Sequence, residues 1–254
     1  MVRKEFKIKV KQVGDNAGDP PAQEVFRRTE VKYVLTPQQT QALLGEIKEY
    51  IQPDKYPKGT NCSIYFDNDS KYLALHSLEK PIYKEKIRVR SYNTPKSLDD
   101  TVFVEIKKKF DGIGHKRRVA VRLKDFYDYL ETGSLNTPNA QIRRELDYCF
   151  QKYDLHPFLF LAYDRHSYTG TGEDQNFRLT FDQNIRYRLD DLRLEHGSQG
   201  QNYFQNGEIV MEAKALDSYP MWFAHALSKL KIYPASFSKY GKVCLYLNER
   251  SIYV

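Results

Sequence analysis

Lys84-Glu85-Lys86-Ile87-Arg88-Val89-Arg90 places a cation on every second residue. Side chains of a strand point alternately to its two faces. With Ile87 and Val89 interleaved, the stretch therefore reads as a β-strand with Lys84, Lys86, Arg88 and Arg90 on one face and apolar residues on the other. The same design recurs in RTEVKYVL (Arg28, Glu30, Lys32), VFVEIKKK (Glu105, Lys107, Lys109), FRLTFD (Arg178, Thr180, Asp182) and IVMEAK (Glu212, Lys214). An ordinary sandwich turns apolar faces inward and has no use for so many charged ones. Closing the strands into a barrel with the charge inside and helices over the apolar outer faces accounts for both. The expected class is α+β: an antiparallel β-barrel tunnel with a charged lumen and helices packed outside.

A wall of cations calls for an anion. The 254 residues carry 40 Lys and Arg against 33 Asp and Glu, a formal excess of +7. That excess favours nucleic acid, an anionic membrane surface or phosphorylated small molecules without choosing among them. At 41% hydrophobic, with 20 Tyr and 14 Phe, the chain can bury one sizeable core. Cys62, Cys149 and Cys244 show neither CxxC nor CxxH spacing, so they read as reduced thiols of a cytosolic chain and not as a zinc site. The N-terminus lacks the continuous apolar core of a signal peptide. No run approaches the roughly 20 apolar residues of a membrane-spanning helix. The expected location is cytoplasmic, or peripheral at the inner face of a membrane where a separate membrane protein recruits the chain.

Along the chain, a flexible segment (1–22) is expected ahead of a single domain (23–254). A first strand is predicted over Glu24 to Leu35. Thr36-Pro37 then supplies an N-cap and a first-turn proline for a helix through Leu43, Leu44, Ile47 and Ile51. Strands are predicted over Cys62 to Phe66, Ile82 to Tyr92, Thr101 to Phe110 and His115 to Leu123, the last pair joined at Asp111-Gly112. Helices over Asp125 to Leu130 and Ala140 to Tyr153 separate these from a second group: Phe158 to Tyr168, Phe177 to Phe181, a short piece at Tyr187, and Glu208 to Leu216. LEHGSQGQNYFQNG (194–207) reads as an exposed hairpin tip, Tyr219 to Leu230 as a helix, and SFSKYGKVCLYL as either strand or helix.

Each charged motif has an ordinary alternative. Lysines protect edge strands from aggregation, but Arg88 and Arg90 present planar forks suited to phosphate oxygens, which edge protection does not require. Glu30/Lys32, Glu105/Lys107 and Glu212/Lys214 share the spacing ExK. Any one of them could be a cross-strand salt-bridge ladder; three facing inward suggest carboxylates for Mg²⁺ or Mn²⁺ and ammonium groups for phosphates. Arg165 follows an apolar stretch and is expected to point into the structure, whereas Arg186 and Arg188 read as surface residues beside a turn. There is no GxSxG, Cys–His pair or P-loop lysine motif. Phosphoryl transfer asks little covalent chemistry of a protein, mainly positioning and charge neutralisation.

With the ExK strands, IRVR, EIKKK, YDRHSY, FRLTFD, MEAK and FSKY in this order, the chain resembles the VTC domain, the polyphosphate polymerase branch of the triphosphate tunnel metalloenzymes or CYTH superfamily, over roughly Glu24 to Leu247. The resemblance implies a tunnel that binds a linear triphosphate with Mn²⁺ or Mg²⁺. Lys32, Arg88, Arg90, Lys107, Arg165 and Lys239 would carry catalysis, and Lys86, Lys116, Arg118, Tyr163, Arg178, Lys214 and Ser238 would bind substrate. Glu212, with Glu30 and Glu105, would ligate metal. Hydrolytic members begin with ExExK; here Arg28 stands at the first position, which tilts the expectation from water towards phosphate as acceptor. The expected reaction passes the γ-phosphate of ATP to a growing inorganic polyphosphate chain. An inorganic or nucleoside triphosphatase and a non-catalytic polyphosphate-binding module are the alternatives. Nucleic acid is not an expected partner, because inward cations are closed to a duplex.

Overall fold

A computed structural model describes residues 29–137 and 139–251. The expected N-terminal segment, the first residues of the first strand and Arg28 lie outside them. In chain order the elements are β1 (Thr29–Leu35), α1 (Pro37–Ile47), β2 (Ile51–Asp67), α2 (Tyr72–Leu78), β3 (Tyr83–Tyr92), β4 (Thr101–Phe110), β5 (Ile113–Arg122), α3 (Leu123–Thr132), α4 (Ala140–Tyr153), β6 (His156–Gly170), β7 (Arg178–Arg188), β8 (Gln201–Asn202), β9 (Ile209–Ala215), α5 (Met221–Lys229) and α6 (Lys239–Ser251).

Local chemistry explains the elements that were legible. Thr36 and Gln39 form a reciprocal capping box on α1, each side chain accepting the other's backbone N–H at 3.1 Å, with Pro37 just inside. Asp111 (φ 44°) and Gly112 (φ 80°) turn β4 into β5 with both central residues left-handed, as the twist of a tight hairpin favours. Two elements departed from expectation. Ile51 opens β2 and does not extend α1. Helix α2 was not foreseen because its cap is remote: the buried Asp67 carboxylate accepts Leu73 N and Ala74 N, both at 2.9 Å, from six and seven residues away.

The strands form one antiparallel sheet in the order β1-β9-β7-β6-β2-β3-β4-β5, with β8 hydrogen-bonded to β7. Among the described residues β1 and β5 do not pair, so hydrogen bonding does not close the expected barrel. Side chains of the two ends nevertheless share one interior: Lys32 of β1 perturbs Lys84 and Lys86 of β3, and Glu212 of β9 perturbs Lys107 of β4.

The outer face carries two cores. Ile64, Ile87, Val89, Val104 and Ile106 pack with Phe126 of α3 and Leu146 of α4, and Tyr33, Leu179, Met211 and Ala213 with Leu43 of α1 and Phe223 of α5. A third core corrects the expectation that all helices lie outside. Helix α6 brings Tyr240, Val243 and Cys244 onto Tyr65, Leu159, Leu161, Tyr163 and Val210, which lie on the inner face and fill one end of the lumen.

The reading of Arg186 and Arg188 is also corrected. Between Gln183 and Arg186 the register of β7 against β6 slips, at Asn184 with φ 51°. Such a bulge flips the side-chain alternation beyond it. Ile185 and Tyr187 therefore join the inner core, while Arg188 turns outward, 8% exposed, 3.5 Å from the Phe160 ring centroid. Its guanidinium donates to the carbonyls of Asp191, Arg193, Gly197 and Gln199, and Arg186 clamps Asp164 and Ser198. Both arginines staple the loop that was expected to be an exposed tip.

Candidate functional site

The inner face is built from strand alternation and cross-strand register. Tyr65 of β2 pairs with Arg88 of β3, Arg88 with Glu105 of β4, and Glu105 with Arg118 of β5. On the facing side, Lys32 of β1 pairs with Glu212 of β9, Glu212 with Thr180 of β7, and Arg165 of β6 with Asp182 of β7. Neighbours in these rows stand close enough for side chains to interact directly.

One wall, from β6, β7, β9, β1 and the start of α6, pairs each of its cations with a carboxylate. Arg165 grips Asp182 through Nε and Nη2 at 2.6 and 2.7 Å, and Lys239 Nζ lies 2.5 Å from Asp182 Oδ2. Glu212 is ringed by Lys239 and Lys214 at 3.5 Å and by Lys32 and Arg165 at 3.8 Å. Burial alone would raise the Glu212 carboxyl, but Lys239, Lys32, Arg165 and Lys214 outweigh it and hold it well below the usual range. Tyr163 is the shared floor, with Lys239 4.7 Å and Arg165 5.3 Å from its ring centroid. Glu30, more exposed, sits 3.6 Å from both Lys32 and Lys214.

The opposite wall, from β3, β4 and β5, is almost wholly cationic. Its one inward carboxylate, Glu105, is 0% exposed. It accepts Arg88 Nε at 2.7 Å and has Lys116 Nζ at 2.8 Å and Arg118 Nε at 3.8 Å. Burial pushes this carboxyl up, yet Arg88, Lys116 and Arg90 bring it down to about 2. A metal ion here would have to displace those cations from a sealed carboxylate, so the geometry favours Glu105 as an internal counter-ion over the expected metal ligand.

Arg90, Lys86 and Lys107 have no carboxylate within ion-pairing distance among the described residues. Arg90 donates only to hydroxyls, those of Ser63 at 3.2 Å and Tyr163 at 3.0 Å. Lys86 donates to Ser238 Oγ at 2.7 Å, and that oxygen also accepts Gly241 N in the first turn of α6. The charge of Arg88, followed by burial and Arg90, pushes the Lys107 ammonium down to about 6; burial first, then Lys32 and Lys84, takes Lys86 to about 8. Together these side chains give the wall a positive potential that attracts anions.

The sign of the resulting pH dependence follows directly. With both ammonium groups pushed down, Lys107 and Lys86 are expected to be only partly protonated at pH 8, and a bound polyanion favours the charged form of each. A triphosphate should therefore take up protons on binding at pH 8, above the final phosphate ionisation near about 6, and bind more weakly as pH rises further. Calorimetry in buffers of different ionisation enthalpy measures this uptake, which Lys107→Met should reduce; a heat independent of buffer would refute it.

The expected residues thus converge on one lumen, with three at its margins: Arg178, paired with Asp54 at 2.8 Å, Lys214 and Lys116. Sequence reading did not single out Asp182, Ser63 or Tyr65 as site residues. Asp182 shared the alternation of Arg178 and Thr180, but nothing local showed that it would anchor Arg165 and Lys239. Tyr65 donates no charge pattern to a sequence, yet its hydroxyl accepts Arg88 Nη1 at 2.9 Å.

Among the described residues no three His, Cys, Asp or Glu side chains converge as a ready-made metal cluster. Mg²⁺ commonly takes one or two carboxylates and completes its shell with phosphate oxygens and water. Glu212 and Glu30, on adjacent inner positions, suit that chemistry.

Residues 27–248 match the VTC domain family. A curated relative, vacuolar transporter chaperone complex subunit 4 of Trypanosoma brucei brucei, is 28% identical over 162 residues, which is 53% of this chain and 20% of that protein. The chain thus spans about a fifth of that relative's length. The crystal structure of a putative adenylate cyclase from Bacillus halodurans superposes with a TM-score of 0.50 at 12% identity, covering 82% of this chain and 92% of that one. The likeness is one of fold.

Proposed function

The chain belongs to the VTC domain family, and from that premise we propose that it is a metal-dependent polyphosphate polymerase. The observation that carries this reading is the set of basic side chains without a carboxylate partner, Arg90, Lys86 and Lys107, facing a wall whose lysines and arginines are each paired with a carboxylate. A terminal phosphate oxygen of the polymer attacks the γ-phosphorus of ATP. The bond from that phosphorus to the β,γ-bridging oxygen breaks, a new anhydride forms, and ADP departs with the bridging oxygen. Arg90 binds non-bridging oxygens, and Lys86, Lys107, Lys239 and Arg165 neutralise charge along the chain of phosphates. Mn²⁺ or Mg²⁺, held by Glu212 with Glu30, would supply further neutralisation of phosphate oxygens.

None of the helices among the described residues is long and apolar enough to cross a membrane. The curated relative is named as a subunit of a transporter chaperone complex, and by analogy we assign this chain a separate membrane partner that receives the polymer.

Phosphorus NMR of the protein with ATP and Mn²⁺ tests the reaction. Growth of an internal-chain phosphate signal with stoichiometric ADP, absent in Glu212→Ala, is expected. Orthophosphate as the sole product would replace the polymerase by a triphosphatase.

A further inference from the structure

Beyond Arg90, at the lumen end opposite α6, the inner face stops being simply cationic. Tyr92, Phe103 and Arg118 share the parity of Arg90, Glu105 and Lys116 on their strands, and Phe103 pairs directly with Arg90. The Arg118 guanidinium carbon lies 3.4 Å from the Phe103 centroid and 5.5 Å from that of Tyr92, and the two rings meet edge to face at 5.6 Å. Tyr92 remains 53% exposed.

Two features separate this group from ordinary packing. Arg118 Nε is 3.8 Å from Glu105 Oε1, against 2.8 Å for Lys116 Nζ, so Lys116 is the closer partner of the carboxylate and the Arg118 plane is committed to the rings. The backbone that carries Tyr92 is also held in place. The next residue, Asn93 (φ 66°), ties the strand end to β2 by donating its N–H to Thr60 O at 2.6 Å and accepting Thr60 N at 3.0 Å. A large aromatic fixed in an exposed position beside a guanidinium plane is the usual surface on which nucleobases stack.

We propose that Tyr92, Phe103 and Arg118 form a stacking platform for the base of a nucleoside triphosphate, at the entrance through which the donor's phosphates reach Arg90. This rests on the triphosphate reading above and assigns it a nucleotide donor. Tyr92 stands one inner-face step beyond Arg90, about 7 Å along the strand, so a base stacked there lies on the outer side of the guanidinium that meets the donor's phosphates. Stacking discriminates poorly among bases, so the platform selects nucleotides over inorganic triphosphate and tolerates more than one base. Arg118 is then a contact for the base in place of a phosphate grip.

Titration of wild type, Tyr92→Ala and Tyr92→Phe with a β,γ-imido analogue of ATP, and separately with inorganic tripolyphosphate, tests the platform. Tyr92→Ala should weaken the nucleotide analogue by about tenfold or more and leave tripolyphosphate within about twofold, with Tyr92→Phe close to wild type. Equal weakening of both ligands, or none for the nucleotide, overturns the platform while the triphosphate reading stands. Wild-type protein that binds neither ligand overturns both.

Discussion

Arg90→Ala should reduce polyphosphate synthesis by about a hundredfold or more, the scale seen when a preorganised donor to a transferring group is removed, with little change in thermal stability. The guanidinium is 7% exposed and donates to two hydroxyls, Ser63 and Tyr163, with no carboxylate that would be stranded. Its removal also relieves repulsion on Lys107, whose ammonium Arg90 helps to push down. The melting temperature should stay close to wild type, the relief at Lys107 offsetting the lost support to Glu105 and the two buried hydroxyls, and the proton uptake described above should shrink. A variant that loses activity and melts well below wild type would make Arg90 a structural residue and remove it from the site.

Arg88→Ala should behave oppositely and unfold the protein more easily. Arg88 is the principal partner of a carboxylate that is 0% exposed. Its loss leaves the buried carboxylate to Lys116 at 2.8 Å and Arg118 at 3.8 Å; breaking a buried pair costs up to about 3–5 kcal/mol, so a fall of roughly 10 °C is the upper expectation in a chain of this size. Glu105→Gln added to Arg88→Ala should recover most of that loss, because a neutral amide needs no counter-charge. The wild-type pair also predicts a pH window. The Glu105 carboxyl is depressed to about 2 in the fold, so its contribution is fully present above the ordinary carboxylate range and is lost as pH falls towards 2. If Arg88→Ala melts with wild type, Lys116 and Arg118 suffice for Glu105 and Arg88 is not its principal partner.

The contrast between two arginines one inner-face step apart marks the limit of sequence reading. IRVR announces two guanidinium groups on one face, and alternation alone puts Arg88, Arg90, Lys107, Lys32 and Glu212 on a common surface. Which arginine is spent on an internal carboxylate and which is left for substrate depends on register: Arg88 stands opposite Glu105, Arg90 opposite Phe103. ExK spacing likewise gave Glu30, Glu105 and Glu212 equal standing as metal ligands, and only the cross-strand neighbours Arg88 and Arg118 set Glu105 apart.

Period-two charge alternation, a capping box and an Asp-Gly turn are local signals. They determined the strands, α1, the β4–β5 hairpin and the cationic character of the interior, because each is decided by residues within a few positions of one another. The tertiary structure decided the rest. The slip at Asn184 turned Arg186 and Arg188 outward and Ile185 and Tyr187 inward. Asp67 capped α2 from six residues away and also accepts the Tyr240 hydroxyl at 2.6 Å. Helix α6 entered the lumen, set Ser238 against Lys86 and carried Lys239 to Asp182. Register, bulges and long-range caps depend on which segments meet. That is a property of the packed sheet as a whole, which no single stretch of chain encodes.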